Sequence, residues 1–428
     1  MAKPGDRAKI TTIEESFEGV LMPRPELLGK DITVLKLDNG YNIGIDNKKI
    51  KSIKVIEEYK PKKPAKIKLK FDKKLPTVAI LSCGGTISSR VDYKTGGVHA
   101  DYTAEDFVAM CPELQKIANL KARQVMSVMS EDIHTAEWRI IAKAVADELK
   151  QSDGVIVTMG TDNLHFCAAV LSFMLKDLNK PVIFTAAQRS IDRGSSDAFM
   201  NLVCAVTAAA KSNIAEVMSC LHGASDDDHC LLIRGTKVRK MHTSRRDAFR
   251  PVNELPLAKV FPNGKIEVLN KNYKKTGGAG PVKVDEGFED KVALIQVHPN
   301  IDPDIIDYFI KKGFKGIVLA ATALGHVPTT GKMALLPNIK KAIDKGIAVV
   351  IASQTLYGRT HPYVYTNLRK LSIQLNCIFA EDMLPEVAFV KLGHVLAKAK
   401  NKDEVNRMML TNMAGEITER ILPETFLY

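Results

Sequence analysis

Two hydrophobic patterns divide the chain. Over residues 1–60, short segments alternate apolar and polar positions, and the sequence Asp38-Asn39-Gly40 between two of them is typical of a β-hairpin turn. From Thr77 onward, short apolar runs alternate with amphipathic segments of helix length, which predicts a parallel α/β sheet. The pattern therefore predicts a small antiparallel β-barrel followed by α/β structure.

Changes in composition set the predicted domain boundaries. Residues 1–72 contain the barrel, of SH3-like or tudor-like size, and most of a basic linker that runs over residues 58–75. Residues 76–280 form the first α/β domain, and a loop-rich stretch ends it. Residues 290–428 form a second, smaller α/β domain, in which the alternation of strands and helices starts again.

Three individual elements of this pattern matter later. An apolar run over residues 124–129 predicts a strand that leads to polar groups at Ser130 and Glu131. Amphipathic segments near residues 385–398 and 402–420 predict two helices that close the second domain.

Composition narrows the class of protein. The chain has 428 residues, 45% of them hydrophobic and 26% charged, which fits a soluble protein of two or three domains. The N-terminal residues lack a secretory h-region, and no apolar run reaches the length of a membrane span. Seven cysteines without a C-x-x-C pair argue against a zinc site and a disulfide framework. We expect a cytoplasmic protein with no membrane contact.

The charge balance leaves two interpretations open. The formal net charge is +12 and the pI about 9.2, which favours a polyanionic partner or reflects only a solvated, lysine-rich surface. The basic linker likewise either contacts nucleic acid phosphates or only separates the two domains.

The first candidate for chemistry follows the apolar run over residues 78–81, which leads through Cys83 to Gly84-Gly85-Thr86. Two glycines allow a tight turn and let backbone N–H groups approach a ligand. The turn places Thr86 at the carboxyl end of a strand, where open α/β sheets hold their sites, so its hydroxyl is a candidate nucleophile. The alternatives are an ordinary glycine turn and a Cys83 nucleophile, although no Cys/His/Asn arrangement is evident.

A second stretch of the same shape strengthens the first. The apolar run over residues 154–159 ends in Gly160-Thr161-Asp162, and residues 164–175 then predict a buried helix. Two strand ends that carry Gly-Thr and Gly-Thr-Asp can face each other across one cleft.

A third stretch, Arg234–His242, supplies lysines after another apolar strand. A threonine hydroxyl has too high a pKa to attack unaided, and a neutral lysine nearby can act as its base. The spacing after Arg234 favours Lys240 for this task, with Lys237 as the rival.

Together, the three stretches resemble the L-asparaginase/glutaminase family of threonine amidohydrolases, in which a G-G-T-I motif, a G-T-D motif and a later lysine form the site. The resemblance covers residues 76–428 and implies the two-domain asparaginase-like fold with parallel sheets, here preceded by the small β-barrel. It implies that Thr86 forms the acyl-enzyme and that Thr161, Asp162 and Lys240 form a second triad.

The resemblance also implies which residues bind substrate. Asp162 would hold the substrate ammonium group, and Ser130 and Glu131 would bind the end of the substrate that carries the α-carboxylate and the ammonium. The full set implied is Gly85, Ser130, Glu131, Gly160 and Asp162, with no metal ligand. Family members also use a lid tyrosine; Tyr93, in the polar stretch 88–99, is the nearest candidate, and the alternative is an exposed loop tyrosine.

The additional N-terminal domain makes the resemblance closest to glutaminase subunits of archaeal tRNA-dependent amidotransferases. It implies hydrolysis of glutamine, or asparagine, to supply ammonia for converting Glu-tRNA(Gln) to Gln-tRNA(Gln). It further implies a homodimeric core within a heterotetramer, a transferase partner subunit that uses ATP and Mg²⁺ and makes most of the tRNA contacts, and no cofactor in this chain. The alternatives are a stand-alone cytosolic L-asparaginase and a binding module whose asparaginase-like domain is inert.

Overall fold

The computed structural model describes residues 2–22, 31–38, 42–59, 71–85, 90–91, 98–99, 104–189, 191, 195–278 and 280–428. These residues divide into two compact units. One comprises Met1–Lys68 with Ser89–Asp101, and the other comprises Leu69–Ser88 with Tyr102–Tyr428.

The strands are β1 (Arg7–Thr12), β2 (Ser16–Met22), β3 (Ile32–Leu37), β4 (Asn42–Asp46), β5 (Ile50–Glu57), β6 (Thr77–Ser82), β7 (Arg90–Val91), β8 (Val98–His99), β9 (Asn119–Gln124), β10 (Gly154–Thr158), β11 (Leu175–Lys176), β12 (Val182–Thr185), β13 (Val217–His222), β14 (Cys230–Arg234), β15 (Val238–Lys240), β16 (Phe249–Pro251), β17 (Ala258–Val260), β18 (Ile266–Val268), β19 (Lys283–Val284), β20 (Val292–Gln296), β21 (Gly316–Ala321), β22 (Ala348–Ser353) and β23 (Ile378–Phe379). The α-helices are α1 (Ala104–Met110), α2 (Thr135–Leu149), α3 (Leu164–Met174), α4 (Ala198–Lys211), α5 (Asp304–Lys311), α6 (Leu336–Asp344), α7 (Thr366–Arg369), α8 (Pro385–Leu396) and α9 (Lys402–Leu410). Short 3₁₀ helices lie at Asn47–Lys49, Pro112–Lys116, Ser130–Asp132 and Pro423–Thr425, and a π-helical turn lies at Lys370–Gln374.

The N-terminal unit contains a five-stranded antiparallel sheet in the order β4-β3-β2-β1-β5. Alternate positions of these strands point to one small apolar core: Ala8, Ile10, Leu21, Leu35 and Ile45. The predicted antiparallel β structure is therefore confirmed, and β3 and β4 pair as the hairpin sequence requires. The turn residues 39–41 lie outside the described residues.

The larger unit is built on an eight-stranded sheet in the order β18-β17-β14-β13-β12-β10-β6-β9. The five strands from β13 to β9 run parallel, as the alternating pattern predicts. The remaining three strands run antiparallel, so the sheet is mixed rather than purely parallel. The reason is the connection over residues 223–229, which is too short for the crossover that a parallel return would need.

Helices cover both faces of this sheet. Because successive strand side chains point to opposite faces, Val78 and Ile80 of β6 pack with α1 and α4, while Ala79 and Leu81 pack with α2 and α3. Burial on both faces explains why these strands are almost continuously apolar.

A four-stranded parallel sheet, β20-β21-β22-β23, forms the second α/β part of the larger unit. One face packs against α5, α6 and α7, and the other packs against α8 and α9. Helix α8 lies against α3, and the Phe166 and Phe389 rings meet edge to face at 6.2 Å. One apolar core therefore extends from the first sheet to the second, and the predicted succession of two α/β parts is confirmed.

Two predicted elements were wrong in their bounds. The strand before Ser130 is β9, not residues 124–129, because β9 is an edge strand whose exposed face carries polar side chains. The apolar residues Val125, Met126 and Val128 instead pack onto the core from the following loop. The last helix, α9, ends at Leu410 rather than near residue 420, because the next residues fold around a buried ion pair between Lys391 and Glu416.

None of the helices in the described part of the chain is both long and apolar enough to span a membrane.

Candidate active site

Three neighbouring strand ends create the site. In the parallel register, Ser82 of β6 lies beside Thr158 of β10 on one side and Gln124 of β9 on the other. The chain therefore leaves all three strands at the same edge of the sheet, where open α/β sheets place their ligands. The Gly84-Gly85 turn, the Gly160-Thr161-Asp162 turn and Ser130 follow these ends.

Glycines allow these turns to touch. Gly85 has a φ of +84°, and a Cβ there would lie 2.4 Å from the backbone nitrogen of Gly160. A Cβ on Gly160 would in turn lie 2.7 Å from the Ser130 Oγ. Any side chain at either glycine would push the turns apart, so the close approach itself requires glycine.

Ser130 holds the Gly160-Thr161-Asp162 turn in place through two hydrogen bonds. Its Oγ accepts a hydrogen bond from the Asp162 backbone N–H at 3.2 Å, and its carbonyl accepts one from Asn163 Nδ2 at 3.0 Å. Ser130 is buried, whereas Glu131 is exposed and accepts from the Ser130 hydroxyl at a long 3.5 Å. The structure thus brings both predicted substrate-binding residues to the turn, and their contact with substrate stays a prediction.

Lys240 meets this turn from β15, which pairs with β16. Its Nζ donates to Thr161 Oγ1 and to Asp162 Oδ1, both at 2.8 Å. The Lys240 side chain is 12% exposed, whereas the Asp162 side chain is 61% exposed. The lysine is therefore enclosed, and its carboxylate partner faces the open side of the site.

Lys237, the rival lysine, lies elsewhere. Its side chain is 1% exposed and donates to Asp382 Oδ2 at 2.7 Å and to the Glu416 carbonyl at 2.8 Å. Burial lowers the pKa of Lys237, and the Asp382 carboxylate opposes that change. The structure thus brings Lys240, and not Lys237, to Thr161 and Asp162.

Cys83 does not offer a nucleophile in this structure. The side chain is fully buried in the apolar core, and burial raises the pKa of its thiol far above the usual range. A thiol in that environment stays protonated and inert. Thr86 and Tyr93, the predicted nucleophile and lid tyrosine, lie outside the described residues. Among the residues that are described, no group of three or more His, Cys, Asp or Glu side chains could hold a metal ion.

The sequence did not predict the group formed by Arg239, Glu386 and His165, which adjoins the strand that carries Lys240. Arg239 donates to Glu386 Oε2 at 2.5 Å, and His165 Nε2 lies 4.0 Å from Glu386 Oε1. Burial, together with the cations of Arg239 and Lys240, lowers the pKa of His165 to about 4. Glu386 lies in the first turn of α8, far along the chain from Arg239, so no local sequence pattern indicates that the two residues pair.

Three known domain families match successive parts of the chain. Residues 77–274 match the N-terminal asparaginase domain, residues 291–409 match the C-terminal domain of glutaminases and asparaginases, and residues 2–56 match the GatD N-terminal domain. A D subunit of glutamyl-tRNA(Gln) amidotransferase from Pyrococcus furiosus is 48% identical over 99% of this chain and 97% of its own length. The chain belongs to the family of glutamyl-tRNA(Gln) amidotransferase D subunits.

Other relatives extend this result. The D subunit of Pyrococcus horikoshii is 49% identical over 97% of this chain and 94% of its own length. Among solved structures, the thermostable L-asparaginase of Thermococcus kodakarensis superposes with a TM-score of 0.72 at 28% identity, covering 80% of this chain and all of that one. L-asparaginase I of Vibrio cholerae gives a TM-score of 0.70 at 27% identity, over 80% and 99%. The D-subunit family thus shares the asparaginase fold and adds the GatD N-terminal domain.

Proposed function

We propose that this chain is the glutaminase subunit of a tRNA-dependent amidotransferase, and that it hydrolyses glutamine to supply ammonia for converting Glu-tRNA(Gln) to Gln-tRNA(Gln). The observation that carries the proposal is the contact of Lys240 with Thr161 and Asp162 at the sheet edge. The full-length similarity to D subunits and the GatD N-terminal domain favour this function over that of a plain asparaginase.

The proposed chemistry divides the work among these groups. The Thr86 hydroxyl attacks the side-chain amide carbon of glutamine, and its proton passes to Lys240 through the Thr161 hydroxyl. The C–N bond then breaks, ammonia leaves with a proton returned by the lysine, and water hydrolyses the acyl-enzyme to glutamate. The exposed carboxylate of Asp162 suits the substrate ammonium group, because it is the part of the triad that faces the open side.

The proposed assembly is a homodimeric core within a heterotetramer that includes a GatE-type transferase subunit, located in the cytoplasm. An exposed apolar cluster in the second α/β part supports a protein interface there: Tyr363, Val364, Tyr365 and Ile373. The net charge of +12 suits a complex that carries tRNA. We propose that the partner subunit uses ATP and Mg²⁺, makes most of the tRNA contacts, and leaves this chain without a cofactor.

The nucleophile gives the direct test. Thr86→Val keeps the shape of the side chain and removes its hydroxyl, so ammonia release from glutamine should fall by on the order of 10³ or more. Thr86→Ser, which retains a hydroxyl, is the matched control and should keep measurable activity. Near wild-type ammonia release by the valine variant would exclude Thr86 as the nucleophile.

A second assay separates this function from a stand-alone asparaginase. Ammonia release is measured with glutamine and with asparagine, in the presence and absence of a GatE-type subunit and Glu-tRNA. A glutaminase subunit should be slow alone and faster in the complex, because free ammonia production wastes glutamine. High turnover of asparagine that does not depend on the partner would support the asparaginase instead.

A further inference from the structure

The strand that carries Lys240 is held by the second α/β part of the molecule. Lys237, Arg239 and Lys240 follow one another over four residues, yet only Lys240 contacts the Thr161-Asp162 turn. Arg239 instead donates to Glu386 in the first turn of α8. Helix α8 is twelve residues long and packs on α3, the helix that follows the Thr161-Asp162 turn.

Glu386 is an unusual residue to find in this position. Its side chain is 3% exposed, and a carboxylate is rarely buried to that extent without a cation. Arg239 supplies the cation, while Glu386 Oε1 and His165 Nδ1 lack hydrogen-bond partners in the described part of the chain. The carboxylate is therefore committed to Arg239 and not to a wider polar network.

We propose that Glu386 is a positioning residue for Lys240: its carboxylate neutralises Arg239 next to the lysine and fixes β15 against α3 and α8. The inference rests on the proposed role of Lys240 as the base. It differs from that role because Glu386 contacts neither Thr161 nor Asp162, and it acts only through Arg239.

The charged groups near Lys240 determine in which direction the loss of Glu386 shifts the pH profile of activity. Asp162 contacts Lys240 directly, and His165, from α3, is uncharged at neutral pH because its pKa is lowered to about 4. Arg250, opposite Arg239 on β16, pairs with Asp247, which it shares with Arg245. Burial raises the pKa of Glu386 and the Arg239 cation opposes that change; with both groups charged, the pair adds no net charge. Loss of the Glu386 charge leaves the Arg239 cation, one residue before Lys240 in β15, without compensation, and an added cation near a lysine favours the neutral amine.

The test measures glutamine hydrolysis by the full chain, with its partner subunit where activity requires it, as a function of pH. In Glu386→Gln, the rising limb of the kcat/KM profile should move to lower pH by about one unit. The plateau kcat should fall about tenfold because the base is less well placed, while KM changes little because Glu386 does not touch substrate. In Arg239→Gln/Glu386→Gln, the limb should return to its wild-type position while the lower kcat persists.

Two controls sharpen the result. Arg239→Lys retains the cation and should leave the limb in place. Lys341→Gln, which breaks the partly exposed Lys341–Asp307 ion pair between α5 and α6, should change neither kcat nor the profile. If Glu386→Gln fails to fold, the double variant still tests the inference, since it leaves no unpaired buried charge and must lower kcat about tenfold with KM unchanged, a separation of kcat from KM that a general loss of structure would not give.

Wild-type kcat and an unmoved limb in Glu386→Gln would overturn the inference, as would wild-type kcat in the double variant. In Glu386→Gln, an equal loss of kcat/KM at every pH with no movement of the rising limb would also overturn the inference, because a merely structural residue would behave that way. These results leave the proposed function intact as long as wild-type chain releases ammonia from glutamine and Thr86→Val does not. If wild-type chain has no glutaminase activity, alone or with its partner, the function and this inference both fail.

Discussion

Lys237→Met should destabilise the protein strongly, whereas Lys240→Met should abolish activity and leave the fold intact. Lys237 and Asp382 are both almost completely buried and joined at 2.7 Å. Methionine fills nearly the same volume as lysine but leaves the Asp382 carboxylate without a cation. By contrast, Lys240 pairs with a carboxylate that is 61% exposed, so its loss leaves no buried charge.

The magnitude follows from burial. Removing one partner of a buried ion pair costs about 3–5 kcal/mol, because the remaining charge is not compensated. The lost hydrogen bond from Lys237 to the Glu416 carbonyl adds about 1 kcal/mol. Thr418 still donates to Asp382 through its backbone N–H at 2.9 Å and its hydroxyl at 2.5 Å, which keeps the loss toward the lower end of that range. Lys240→Met should cost at most about 1 kcal/mol, because the Asp162 carboxylate that it leaves behind is mostly exposed and stays hydrated.

Guanidinium titration of the full chain measures both variants, with ammonia release assayed below the unfolding transition. The matched double variant is Lys237→Met/Asp382→Asn, in which the asparagine can still accept from Thr418 and no buried charge remains. It should recover most of the lost stability. A Lys237→Met variant within about 1 kcal/mol of wild type, or a double variant no more stable than the single one, would refute this reasoning.

Two further predictions follow from the site and the core. Gly85→Ala should lower ammonia release about 100-fold, because the added Cβ pushes the two turns apart. The control Gly277→Ala, also at positive φ but with no atom within 4 Å of the added Cβ, should not lower it. Equal activities of the two variants would contradict the close approach of Gly85 to Gly160. Burial lowers the pKa of His394 to about 4 from an ordinary 6.5, so the unfolded chain binds a proton that the native state refuses between these pH values. Stability should therefore fall by up to about 3 kcal/mol as pH drops from 6.5 to 4, and the midpoints for His394→Gln should decline less steeply; parallel curves would exclude this contribution.

Local patterns were enough to predict the sheet and the glycine turns. Apart from Ser82 and Thr158 at their carboxyl ends, the buried positions of β6 and β10 carry no polar side chain, because both faces of a parallel strand are covered. The Gly-Thr sequences after them had to lie at the carboxyl ends, and the structure places Gly85 against Gly160 as expected of neighbouring strands. These features depend on residues close together in sequence, so they could be inferred without the structure.

The strand at the sheet edge and the end of the last helix were harder to predict from the sequence. Strand β9 lies at the edge of the sheet with β6 as its one neighbouring strand, so its exposed positions are polar. Its apolar pattern is therefore weaker than that of the loop that follows. The segment after Leu410 resembles a continued helix, but the Lys391 Nζ donates to the carbonyls of Met409 and Thr411, where the helix ends. The last carbonyls of a helix have no intrahelical N–H partner, and here the buried lysine supplies one at the point where α9 ends.

The choice between Lys237 and Lys240 shows why long-range pairing escapes sequence reasoning. Both lysines follow the same Arg234-Gly235 turn, and spacing alone favours Lys240 without excluding the other. What separates them is Asp382, more than 140 residues away, which claims Lys237. No local pattern records that partnership.

The acidic stretch Glu381–Glu386 also pairs with residues that are distant in sequence, and these pairs bear on the site. Each of its three carboxylates pairs with a different cation: Glu381 with Arg359, Asp382 with Lys237, and Glu386 with Arg239. Two of those cations lie within three residues of Lys240. The second α/β part therefore contributes more than a surface for packing, because it fixes the strand from which Lys240 reaches Thr161 and Asp162. A site assembled at the edge of one sheet in this way depends for its geometry on charges supplied by the other.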